Sequence, residues 1–235
     1  MDLPAPVRRF LDAAYPDGPP EVETAVMEST GRFRRRPLPW IPFANTISLR
    51  PGVDRVSDML VRIGPFTVMK VLDAFVDGQG ITKFLRTADV GPEIDQGSLH
   101  AMLCETLMFP SSLQRVADLA WEEVDETSAR MVVPFGDQNE RATVSFHPRT
   151  GFPARYETPR FKAIGGPKVD WRVQMLDWWR FGPVVAPRRI VVAWADDPGP
   201  WLRQRIVKIT TGEPVDGALE RARAAISQAR AKLPG

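Results

Sequence analysis

The chain has 235 residues, with 31 Lys and Arg against 29 Asp and Glu, a formal net charge of +2. That balance gives no general pull toward nucleic acid, and a chain of this length can bury a core without metal or disulfide staples. Its one cysteine, Cys104, excludes an intramolecular disulfide and a four-cysteine zinc site.

The N-terminus, Met1-Asp-Leu-Pro-Ala-Pro6, lacks the charged and apolar regions of a secretory signal. No uninterrupted apolar run reaches the roughly 18 residues that a helical membrane span needs. The expectation is a cytoplasmic chain folded as a single domain over 1–235. Its 23 prolines punctuate it too often for a helical bundle, and its seven tryptophans need a core, a pocket or an interface to cover them.

Pro6–Ala14 opens as a helix with proline in its first turn, and Val7, Phe10, Leu11 and Ala14 fall at helical spacing. The period then switches to two. Strands are predicted at Val22–Met27, Thr46–Leu49, Phe66–Val76 and Ile81–Leu85, the last two joined through the turn Asp77-Gly-Gln-Gly80. Gly97–Phe109 interrupts the sheet as a helix, with Ser98 as its N-cap and Pro110 ending it. Leu99, Met102, Leu103, Cys104, Leu107, Met108 and Phe109 cover nearly its whole circumference, so protein should enclose it. Strands resume at Leu119–Val124, Arg130–Val133 and Arg141–His147, where Ala142, Val144 and Phe146 share one face. Val169–Trp178, Arg189–Trp194 and Leu202–Ile209 bring the total to about ten. The helix Asp216–Leu233, with a stripe of Leu219, Ala222, Ile226, Ala229 and Leu233, closes the chain. The fold class read from this is α+β. A curved antiparallel half-barrel wraps one inserted helix, with helices at both termini.

Asp73-Ala-Phe-Val-Asp-Gly-Gln-Gly80, Glu105-Thr-Leu-Met-Phe-Pro-Ser-Ser-Leu113, Trp121-Glu-Glu-Val-Asp125 with Ser128-Ala-Arg130, and Trp201-Leu-Arg203 occur in this order. On these segments the chain resembles a bacterial family of domains of unknown function. The layout is also similar to the half-barrel of periplasmic lipoprotein carriers (LolA-like), whose curved sheet wraps helices around an apolar cavity. The resemblance implies a fold more than an activity, and the expected absence of an export signal is a departure from those carriers.

Glu105 is the first candidate for chemistry, because it lies on the enclosed helix, where a carboxylate is costly unless paired or hydrogen-bonded. It could act as an acid or base, or form an internal ion pair with an arginine such as Arg155 or Arg203. Asp73 alternates with Met69, Val71 and Phe75 on the expected inner face and could work beside it. His100 and Cys104, four apart on the same helix, could form a thiol–imidazole pair or simply fill the core. Tyr156 could offer a phenol to a ligand or bond to backbone. With His100 and His147 as the only histidines, no His-rich metal site can be built. Arg32-Phe-Arg-Arg-Arg36 reads as a solvated strand end rather than a single-strand nucleic-acid contact.

Cys104, Met108, Trp121, Trp171, Trp178, Trp179 and Arg203 are the candidate ligand contacts. The function expected is binding of a hydrophobic small molecule or lipid between the curved sheet and the 97–109 helix, without a cofactor or metal. Two other uses of the same residues stay open. One is a cofactor-independent reaction on an apolar substrate using Glu105, Asp73, His100 or Tyr156, and the other is a tryptophan-rich protein interface.

Overall fold

The computed structural model describes residues 3–34, 37, 39–64, 66–85 and 87–232. Helix α1 (Ala5–Ala14) carries Pro6 in its first turn and buries Val7, Phe10 and Ala14. Six strands follow: β1 (Ala25–Phe33), β2 (Ile41–Arg50), β3 (Asp54–Ile63), β4 (Phe66–Val76), β5 (Gln79–Phe84) and β6 (Thr87–Asp89). Helix α2 (Pro92–Thr106) and a 3-10 turn (Pro110–Arg115) lead to β7 (Ala120–Asp125), β8 (Ser128–Phe135), β9 (Gln138–Phe146) and β10 (Pro153–Phe161). The chain ends in β11 (Lys168–Phe181), β12 (Val184–Trp194), β13 (Leu202–Thr211) and helix α3 (Asp216–Arg230).

All thirteen strands form one open antiparallel sheet, in the order β6-β5-β4-β3-β2-β1-β13-β12-β11-β10-β9-β8-β7. Two meanders are thus joined at the middle of the sheet, where β1 pairs with β13 from Ala25↔Thr211 to Phe33↔Leu202. The outer edges, β6 and β7, are not bonded to each other. The connection between them, α2 and the 3-10 turn, crosses the inner face from one edge to the other.

The sheet has thirteen strands rather than ten; β3, β6 and β10 are the additions. Two of them escape the hydrophobic pattern because they turn charged or polar side chains inward. Arg55 and Ser57 of β3, and Thr158 of β10, are buried. Helix α2 starts at Pro92 rather than Gly97, so Ser98 is not its cap; Gly91 precedes the first turn, and Ser98 is buried within the helix. Pro110 opens the 3-10 turn after α2 has ended at Thr106. Arg35, Arg36 and Leu233 lie outside the described residues.

The inner face, α1 and α2 share one hydrophobic core, which includes Phe10, Met27, Ile47, Met102, Leu103, Met108, Met131, Phe146 and Met175. Helix α3 makes a second, smaller core on the outer face, where Leu219, Ala222 and Ile226 meet Val56, Ala74 and Val76. Alternation along β3 and β4 separates the two: Val56 and Ala74 face α3, while Arg55 and Asp73 face α2. Gly80 lets α2 seat against β5, since a Cβ there would lie 2.7 Å from the Ile94 carbonyl oxygen.

Candidate functional site

Helix α2 is buried nearly all round from Gln96 to Thr106, and polar side chains tie it to its surroundings along its length. Near its start the Asp95 carboxylate accepts the Gly80 N–H at 2.6 Å and pairs with Arg230 of α3 at 2.6 Å. At the next residue, Gln96 donates at 2.9 Å to both Glu140 Oε2 and the Pro159 carbonyl. At its end Thr106 Oγ1 accepts the Gly52 N–H at 3.0 Å. Between these tethers lie the two polar groupings of the interior.

The first centres on Glu105. Arg55 meets it as a fork, Nε to Oε2 at 3.0 Å and Nη2 to Oε1 at 3.1 Å, and turns Nη1 to Asp73 Oδ1 at 2.9 Å. The expected internal ion pair therefore exists, but its arginine is Arg55 rather than Arg155 or Arg203. Asp73 and Glu105 do converge, through the guanidinium between them. Burial pushes the Glu105 carboxyl above the usual carboxylate range, with Arg55 pulling the other way. Burial alone would lower the Arg55 pKa, but the two carboxylates outweigh it and raise it, so Arg55 stays charged.

The second grouping is an unbroken hydrogen-bond chain with no exposed surface on His100 or Tyr156. His100 Nδ1 lies 2.8 Å from the Tyr156 hydroxyl, and Nε2 lies 3.0 Å from Glu140 Oε2 and 3.2 Å from Thr158 Oγ1. A carboxylate can only accept, so the proton of neutral His100 belongs on Nε2, and Nδ1 accepts from Tyr156. Burial lowers the His100 pKa, the Glu140 contact opposing it, and burial pushes the Tyr156 phenol well up. Burial would also raise Glu140, yet hydrogen bonds from His100, Lys168 and Gln96 bring it down to about 2. Lys168 Nζ supplies its bond at 2.8 Å. Both His100 nitrogens being taken, no thiol–imidazole pair forms. Burial raises the Cys104 pKa and leaves it a neutral thiol.

Arg160 stands between the two groupings, with its guanidinium 4.7 Å from the centre of the Trp171 ring. Its other side lies against Gly97, where a Cβ would come within 2.7 Å of Nε. That Nε has no hydrogen-bond partner among the described residues.

The remaining candidates are dispersed. Cys104, Met108 and Trp171 are buried in the inner core, and Trp121 packs against its margin. Trp178 stacks on Phe152 at 5.2 Å and donates to the Pro153 carbonyl at 2.8 Å. Trp179 is exposed beneath Arg188. Arg203 faces outward and lines two open clefts on the outer side of the sheet, of about 580 and 610 Å³. The sequence reading missed Arg55, Glu140 and Arg160. For Glu140 a signal was present, because the inward series Ala142, Val144, Phe146 extends back to it by two.

A family model described as a family of unknown function (DUF6544) matches residues 1–204. No curated protein matches the chain in sequence. Among solved structures, it is similar to a LolA superfamily protein from Nitrosomonas europaea at 8% identity and TM-score 0.53, covering 93% of this chain and 98% of that one. A DUF1329 family protein from Desulfovibrio piger aligns at 12% identity and TM-score 0.50, over 90% of this chain and 96% of that one. A domain from Vibrio parahaemolyticus, assigned by inference to outer membrane lipoprotein sorting, aligns at 6% identity and TM-score 0.50, over 86% and 92%. At these identities the likeness establishes the curved, open antiparallel fold.

Proposed function

The chain belongs to the DUF6544 family, whose function is unknown, and on that premise we propose that its inner sheet face binds a hydrophobic small molecule or lipid beneath α2. The observation that carries the reading is the lining. Met27, Met102, Met108, Met131 and Met175 are all buried in the inner core, and Met59 packs against it. Methionine is flexible and polarisable, so a surface built from it can repack around an apolar guest. Helix α2 is the movable part. It crosses between two sheet edges that are not bonded to each other, and side chains hold it where strand hydrogen bonds do not. The lipoprotein-sorting description of the Vibrio parahaemolyticus domain is consistent with a lipid-bearing ligand.

Native mass spectrometry of protein purified from its own host tests the reading, together with titration of a fluorescent fatty acid. Co-purifying lipid, or saturable probe binding, supports it. Protein that is always empty and that fails to bind the probe while folded refutes it. A reaction at the same residues is the weaker reading. Both Glu105 oxygens are engaged by Arg55, and neither His100 nor Tyr156 has exposed surface.

A further inference from the structure

One end of the sheet is basic and apolar together. Between Glu28 and Asp54 the chain has no acidic residue, and between Asp58 and Asp73 it again has none, although both stretches carry basic ones. These stretches fold into neighbouring hairpins: Phe33 pairs with Ile41 across the β1–β2 turn, and Ile63 with Phe66 across the β3–β4 turn. The second tip presents apolar side chains to water, with Ile63 61% and Phe66 72% exposed. At the same end of β5, Leu85 is 68% exposed. Ile63 and Phe66, paired with each other and both exposed, form an apolar tip of the kind that marks an interaction surface.

The basic residues lie beside that tip. Arg32, Arg62, Arg189, Arg203 and Arg205 line the outer cleft of about 580 Å³ together with Trp40. Arg34 and Arg203 lie over the Trp40 ring, at 4.7 and 5.1 Å from its centre. Asp177 engages Arg189; Arg32, Arg62 and Arg205 have no acidic partner among the described residues. Helix α3 covers the outer face at β3, β4 and β5 and leaves this cleft open.

We propose that this end docks on the surface of a bilayer containing anionic lipids. The exposed side chains of Ile63 and Phe66 enter the headgroup layer, and Arg32, Arg62 and Arg203 meet lipid phosphates around Trp40. An apolar tip beside unpaired arginines and an aromatic ring is the chemistry that a headgroup boundary selects. A dissolved anion would need the arginines but not the tip. The surface lies apart from the inner core, so it stands or falls independently of the ligand reading.

The test is sedimentation of the full chain with vesicles of phosphatidylcholine alone and of phosphatidylcholine with about one-third phosphatidylglycerol. Binding is expected to the acidic vesicles, weakening as salt rises. Arg32→Ala and Arg62→Ala should each weaken it by about fivefold. Ile63→Ser with Phe66→Ser, both at exposed positions, should abolish it while circular dichroism stays unchanged. Absence of binding to acidic vesicles overturns the proposal. So does binding that survives the double serine variant, or that polyglutamate displaces equally well with and without the tip, because either would assign the arginines to a soluble polyanion.

Discussion

Replacing Arg55 with methionine tests the interior most directly. The arginine side chain is 5% exposed and that of Glu105 14%, whereas Asp73 keeps 30% and can return to water. The loss therefore falls mainly on Glu105, a carboxylate left in an apolar interior. Removing one partner of such a pair costs about 3–5 kcal/mol, while replacing both with apolar residues of similar volume is close to neutral. Urea denaturation at pH 7 should therefore show Arg55→Met less stable by about 3–5 kcal/mol. The double variant Arg55→Met with Glu105→Leu should recover most of that. The deficit also has a sign in pH. With the folded pKa of Glu105 raised, the native state binds more protons than the unfolded one between the two values, so stability falls as pH rises through that window. The deficit of the single variant should shrink when pH is lowered toward 4.5. A single-variant cost below about 1 kcal/mol, or a double variant no better than the single, would refute the view that a buried ion pair clamps α2.

Acid should weaken the fold by a different route at His100 and Glu140. Both have folded pKa values below their ordinary ones, so each contributes stability at higher pH that is lost as pH falls, His100 from about 6.5 downward and Glu140 from about 4.5 toward 2. His100→Gln should flatten the upper part of a stability–pH profile measured by urea denaturation. Tyr156→Phe leaves His100 Nδ1 without its donor and should cost about 1–3 kcal/mol, read in the same assay. Gly97→Ala should destabilise despite the better helix propensity of alanine, because the new Cβ meets Arg160 Nε at 2.7 Å. Displacement of Arg160 from Trp171 should register as a change in tryptophan fluorescence. Met108→Ala should cost about 2–5 kcal/mol by opening a cavity, and on the ligand reading a saturating apolar probe should restore part of that.

Much of the architecture could be read from alternation and turn chemistry. Ala142, Val144 and Phe146 mark β9, and the apolar circumference of Gly97–Phe109 marks an enclosed helix. The site was less legible, for a reason that also explains the missed strands. A strand is recognised by an apolar inner face, and β3 and β10 place polar residues such as Arg55 and Thr158 there instead. Arg55 and Ser57 make β3 look inverted, while Pro153, Pro159 and Arg160 make β10 look like a loop. Glu105 could be singled out because it breaks an apolar helix. Its partner could not be named, since Arg55 is fifty positions away in the chain and joined to it only through the sheet.

The pairing of β1 with β13 bears on how the chain reaches this structure. The middle of the sheet is a seam between segments at opposite ends of the sequence, Ala25–Phe33 and Leu202–Thr211. Closing so long a loop costs entropy before any contact repays it, which slows folding. During synthesis the first meander emerges long before its central partner and must wait with one side of β1 open. Its own outer edge, β6, is only three residues long. During that wait the vulnerable edge is β1, which in the finished protein lies at the centre of the sheet. The chain should therefore depend on a chaperone or on slow synthesis more than its final, well-covered interior suggests.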